Sequence, residues 1–99
     1  MTSVNCFDFD EICQRTAVPS ETLVTIVEHG IIEPIGRQQP PWQFDVSAVL
    51  VVRRVVQLKV ELDLDWQGAA LALELMEENR RLREENERLE QRLLRFVEP

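Results

Sequence analysis

The chain is expected to be mainly α-helical, a winged helix-turn-helix over residues 1–65 followed by a long helix of coiled-coil type over 66–99. Two short amphipathic segments flank the turn Ala17-Val18-Pro19. Turn formers and prolines crowd residues 34–41, with extended, apolar residues on either side. Residues 66–97 then run without proline, with Leu75, Leu82, Leu89 and Phe96 seven apart.

The first segment, FDFDEICQRT at 7–16, predicts a short helix capped by Asp8 or Asp10, with Ile12 and Cys13 inward. Ser20-Glu21-Thr22-Leu23 opens a second helix, in which Leu23, Ile26 and Val27 form one apolar face. Gly30 is expected to stop it, with His29 near the negative end of the helix dipole. Ile31-Ile32-Glu33-Pro34 and Trp42-Gln43-Phe44 read as the arms of a small hairpin-like wing, with Pro40 and Pro41 limiting its pairing. Asp45 is placed to cap a third helix over 46–62, apolar over more than half its circumference and hence central. Asp65 is placed to cap the last helix, Trp66 to Val97, about 50 Å long. A domain of this size cannot cover such a helix, so part of it must project or pair.

The pairing seam predicted along that helix is Leu75, Leu82, Leu89, Leu93 and Phe96, with Ala72, Asn79 and Asn86 at the complementary heptad position. A homodimer is the expected outcome. Parallel pairing would set Asn79 and Asn86 against themselves; antiparallel pairing centred near Glu84 would set Ala72 against Phe96 and Leu75 against Leu93. Both arrangements stay open. Glu77–Arg81, Arg81–Glu85, Arg83–Glu87 and Glu84–Arg88 are spaced for ion pairs on the outer face.

The net charge is −7 over 99 residues, and its distribution is uneven. Residues 1–33 set Arg15 alone against Asp8, Asp10, Glu11, Glu21, Glu28 and Glu33, a local charge of −5. In residues 66–99 six Arg face eight Glu, a local charge of −2. Such an acidic end repels phosphate backbones and steers a basic protein toward it. The second helix of a DNA-reading helix-turn-helix needs Arg or Lys, and SETLVTIVEHG has neither. Arg37, Arg53, Arg54 and Lys59 are the only bases in the wing and third helix, so direct nucleic-acid binding is not expected. An enzyme is not expected either, since the chain has no Gly-rich phosphate loop, nucleophile elbow or paired Cys and His. Cys6 and Cys13 make no disulfide framework, and His29 is the only histidine, so neither a metal nor a cofactor is called for. No apolar run is long enough to cross a bilayer, and MTSVNCFDFDE is not a secretory signal, which makes a cytoplasmic protein without membrane contact the expectation.

The stretches FDFDEICQRTAVPSETLVTIVEHGIIEP, WQFD and LDLDWQGAALALELMEENRRLREENERLEQRLLRFVEP together resemble the chaperone-modulator family of CbpM-like proteins, over nearly the whole chain. Their most specific part is LDLDWQGAALALELM leading into a charged helix and LLRFV. The helix-turn-helix half is also similar to the MerR-type regulators, without their basic recognition residues. The resemblance implies binding to the J-domain of a CbpA-type, DnaJ-like co-chaperone and inhibition of its co-chaperone and DNA-binding activities. The charge map suggests the surface: Asp8, Asp10, Glu11, Glu21, Glu28 and Glu33 as a docking face competing for the basic J-domain helix. Trp42, Phe44 and Trp66 are expected to close the core between wing, third helix and long helix rather than to anchor a partner. The alternative function is a MerR-like transcriptional regulator acting on DNA directly or through a partner, and a third is a structural dimerisation module.

Overall fold

A computed structural model of the protein describes residues 6–36 and 41–97. Along the chain these form β1 (Cys6–Asp8), α1 (Phe9–Thr16), α2 (Ser20–Glu28), β2 (Gln43–Asp45), α3 (Ser47–Glu61) and α4 (Trp66–Val97). The mainly helical winged helix-turn-helix with a long last helix is the observed architecture.

Asp8 and not Asp10 caps α1. Its Oδ1 accepts from the Glu11 amide at 2.8 Å, and Glu11 Oε1 accepts from the Asp8 amide at 3.0 Å. The helix therefore begins two residues later than the sequence predicts, and the residues before the cap are extended. They form β1, which pairs antiparallel with β2 so that Phe7 opposes Phe44. This corrects the expected wing. Residues 31–34 do not pair with 42–44, and the link between those arms is a bond from the Ile35 amide to the Gln43 carbonyl at 2.7 Å. Pro34 has no amide to donate to a ladder, whereas β1 offers an unbroken edge. Arg37 and Pro40 lie outside the described residues.

The turn between α1 and α2 is set by Ala17, a residue in the left-handed region at φ 55°, whose amide and that of Val18 both bond back to the Cys13 carbonyl. α2 ends as expected: Gly30 adopts φ 71°, and the Ile31 amide reaches the Ile26 carbonyl. The Nδ1 of His29 lies 2.9 Å from the Thr25 carbonyl oxygen, at the helix end where the sequence places it. Asp45, by contrast, does not cap α3. Its Oδ2 accepts from the Ser47 hydroxyl at 2.8 Å, while Val46 in helical conformation occupies the cap position. Asp65 does close the start of α4, accepting from the Gly68 amide at 2.7 Å. A Cβ at Gly68 would lie 3.1 Å from that same carboxylate oxygen, which explains a glycine inside a first helical turn.

One apolar core joins these elements. Ile12 of α1, Leu23 and Ile26 of α2, Phe44 of β2 and Val52 and Val55 of α3 are wholly buried, and α4 adds Ala69 and Leu73. Each large side chain so buried contributes about 1.5–3 kcal/mol against conformational entropy. α3 is central, although Leu50, Val60 and Leu62 face outward, so its apolar circumference is wider than the face the core uses. From Glu74 to Val97 every residue of α4 is exposed. The radius of gyration is 17.7 Å, against about 13 Å for a compact chain of this length; the projecting helix accounts for the difference. No described helix is long and apolar enough to cross a membrane.

The outer face of α4 is laced with charge pairs, but not the expected ones. Arg80 bridges Glu77 and Glu84, Arg81 pairs with Glu78, and Arg88 with Glu85, mostly at i, i+3. Arg54 of α3 reaches Glu77 at 3.1 Å and ties the two helices together. Glu77 serves both Arg54 and Arg80, and Arg81 bonds to Glu78.

Candidate docking site

The acidic residues of the first half do not fall into one cluster. They line a strip along the outer face of α2 and around the ring of Trp42. Leu23 and Ile26 bury the inner face of α2, which leaves Glu21, Val24, Thr25 and Glu28 outward at i, i+3, i+4 and i+7.

Two open recesses, each about 480 Å³, adjoin this strip and share Trp42 as a wall. Asp8, Phe9, Asp10, Val24 and Pro41 line the first. The second is lined by Val27, Glu28, Ile32, Glu33 and Pro34 together with Gly30 and Gly36. Trp42 is held half-buried there, its ring centroid 5.9 Å from that of Phe9 and 6.4 Å from that of Phe44. Asp8, Asp10, Glu28 and Glu33 are therefore brought around one aromatic ring. Glu21 stands one turn before Val24 on the same face, outside both recesses. Glu11 is drawn aside: half-buried, it spends its carboxylate on the amide of Asp8.

Electrostatics set this face apart. Among the described residues no Lys or Arg lines either recess, and Asp10, Glu21, Glu28 and Glu33 make no ion pair. Arg15, the one base of residues 1–33, is occupied elsewhere, its guanidinium 4.3 Å from the Phe7 ring centroid and its carbonyl accepting from Arg53. Beneath α1, burial and the Asp10 carboxylate both push the Cys13 thiol above its ordinary pKa. By contrast, the groove of about 620 Å³ between α3 and α4 mixes Arg54, Arg80 and Arg81 with Glu74, Glu77 and Glu78. Of these charges, Arg54 and Arg80 pair with Glu77, and Arg81 with Glu78.

Phe44 closes the core, as the sequence suggests, and Trp66 packs against it with Lys59 Nζ 5.1 Å from its ring centroid. Trp42 also touches the core but walls both recesses, a surface role the sequence reading does not assign it. Phe9, Val24 and Pro41 were likewise missed. The signal for Val24 was present: an apolar residue between two acids on the outward face of an otherwise well-patterned helix.

The seam residues Leu75, Leu82, Leu89, Leu93 and Phe96 are all exposed, from 47% at Leu89 to 94% at Phe96. Leu89 and Leu93 join Leu94 and Val97 in one apolar patch near the end of α4, wider than the heptad count alone indicates. Among the described residues no group of three or more His, Cys, Asp or Glu is placed to hold a metal ion.

Residues 7–91 match the family model of MerR HTH family regulatory proteins. The chain is 50% identical over 91 residues to the chaperone modulatory protein CbpM of Pseudomonas putida strain F1, covering 92% of this chain and 90% of that protein. It is 52% identical, with the same coverage, to the chaperone modulatory protein CbpM of Salmonella paratyphi B. With the corresponding protein of Pseudomonas entomophila the identity is 48%, again over 91 residues.

Proposed function

Because the chain belongs to the MerR HTH family and, within it, to the chaperone modulatory proteins CbpM, we propose that its chaperone-modulating role consists of binding the J-domain of a CbpA-type co-chaperone. Occupying the J-domain inhibits the co-chaperone's work with its Hsp70 partner and, with it, its DNA-binding activity. The observation that carries this reading is the acidic face around Trp42, where Asp10, Glu28 and Glu33 have no ion-pair partner among the described residues. A J-domain presents a basic helix to an acidic chaperone, and a second acidic surface competes for it. Asp10, Glu21, Glu28 and Glu33 supply the charge, while Asp8 and Glu11 mainly hold the start of α1.

The same face argues against the alternative of direct DNA reading. α2 occupies the position of a recognition helix, yet its outward residues are Glu21, Val24, Thr25 and Glu28: the two glutamates repel phosphate and none is a base. The seam of α4 supports a homodimer, since a row of leucines ending in Phe96 is costly to leave in water. Both roles are regulatory and need no catalytic group.

Calorimetric titration against a purified J-domain at two salt concentrations tests the reading. Saturable binding that weakens with salt is expected, and Glu21→Lys/Glu28→Lys should weaken it further at low salt. Undiminished binding by that double variant would move the docking face elsewhere. If the J-domain did not bind and mixed-sequence DNA bound with a steep salt dependence, the transcriptional reading would replace this one.

A further inference from the structure

We propose that the acidic face grips a basic amphipathic helix by two apolar side chains, one on each side of the Trp42 ring, about one helical turn apart. The inference rests on the docking reading above and adds the feature that holds the partner once charge has brought it there.

The geometry follows from α2. Val24 borders the first recess, and Val27 and Glu28 border the second. Three to four residues on a helix rise about 5 Å, one turn. A partner helix lying along this face presents its own residues at i and i+3 or i+4 to the two recesses, with Trp42 standing between them as a wedge.

Charge complementarity selects the occupant. Asp8 and Asp10 flank the first recess, Glu28 and Glu33 flank the second, and no base is among the described residues that line them. The residues beside the partner's two anchors are therefore Lys or Arg. The α4 helix of a second copy is a poor complement, because it carries more Glu than Arg. An anionic lipid surface or nucleic acid is repelled outright.

Rim charges act mainly on the association rate and its salt dependence, whereas buried aromatic and aliphatic anchors set how long the complex lasts. The two contributions are therefore separable in one set of measurements.

The test uses the full chain carrying Trp66→Phe, so that Trp42 is the sole tryptophan, titrated with a tryptophan-free J-domain of a CbpA-type co-chaperone. On saturation, Trp42 emission should move to the blue and its quenching by acrylamide should fall severalfold. Trp42→Ala should weaken binding about thirtyfold, the loss of a strong anchor, with the salt slope unchanged. Glu28→Lys should instead flatten the salt slope. Val24→Glu, a change on the outward face that does not disturb the core, should abolish binding even if Trp42→Ala fails to fold. Saturation with Trp42 quenching unchanged, or Val24→Glu binding like the parent, would overturn the two-anchor inference while leaving the docking face intact. Failure of the parent chain to bind at all would overturn the docking reading as well.

Discussion

The two halves of the chain are both rich in carboxylates, yet they use them in opposite ways. Along α4 each glutamate that engages an arginine is neutralised within one turn, and Arg81 holds the Glu78 carboxyl below its ordinary range through a hydrogen bond. Around α2, Asp10, Glu21, Glu28 and Glu33 have no such partners among the described residues. The burial pattern is inverted too: α1 and α2 bury Ile12, Leu23 and Ile26, while α4 beyond Leu73 displays its leucines. Charge count alone therefore misleads. What sets the first half apart is that its carboxylates lie beside a half-buried ring without ion-pair partners among the described residues.

The largest test of this contrast is core against rod. Phe44→Ala should cost about 3–5 kcal/mol in urea unfolding, since Phe44 is wholly buried between β1 and the helices. Leu82→Ala should cost less than about 0.5 kcal/mol in dilute protein, being half exposed on α4. A cost for Leu82→Ala that grows with protein concentration would show the seam covered by a second copy. A high cost in the dilute monomer would break the comparison.

The joint between the halves comes next. Asp65→Ala removes the carboxylate that receives the Gly68 amide and should cost about 1 kcal/mol, read as a lower thermal midpoint with loss of helical signal. Arg54→Ala should cost no more than about 0.5 kcal/mol, because the Arg54–Glu77 pair is about half exposed, and less still in high salt.

Two titrations give the smallest effects. The folded pKa of Glu78 is depressed, so its contribution is present above its unfolded value of 4.5 and is lost as pH falls through the folded value. Helical signal should therefore be flat from pH 8 to 5 on account of this group, and Glu78→Gln should remove only the part of the decline that lies below 4.5. The raised pKa of Cys13 means less thiolate at neutral pH, so Asp10→Asn should modestly speed its alkylation. No change on that substitution would show that the Asp10 carboxylate does not bear on the thiol.

Much of the architecture is readable from residues alone where a local signal is strong. α4 begins at Trp66 because Asp65 caps it, and it reaches Val97 because nothing before that breaks it. α2 is bounded by Pro19 and Gly30, two residues with narrow conformational roles. The β1–β2 pair was not readable: three-residue strands have no usable period, and their partners lie 35 to 39 positions apart in sequence. The ion pairs of α4 escaped for a different reason. Several acids lie within reach of each arginine, and Arg54, contributed by another helix, changes the competition. At the candidate site the acids were legible from composition, but Trp42 was not. Whether a half-buried ring closes a core or walls a surface depends on packing that no spacing rule encodes.

The projecting length of α4 carries a consequence for valency. In the proposed homodimer, two chains paired along that rod would hold two acidic faces at a fixed separation, set by the helix instead of by a flexible linker. A partner that presents two basic helices at a matching distance would meet the second face at a high effective concentration once the first was engaged. Individually weak contacts would then add to long residence, and a single face freed by dissociation of the pair would release its cargo quickly.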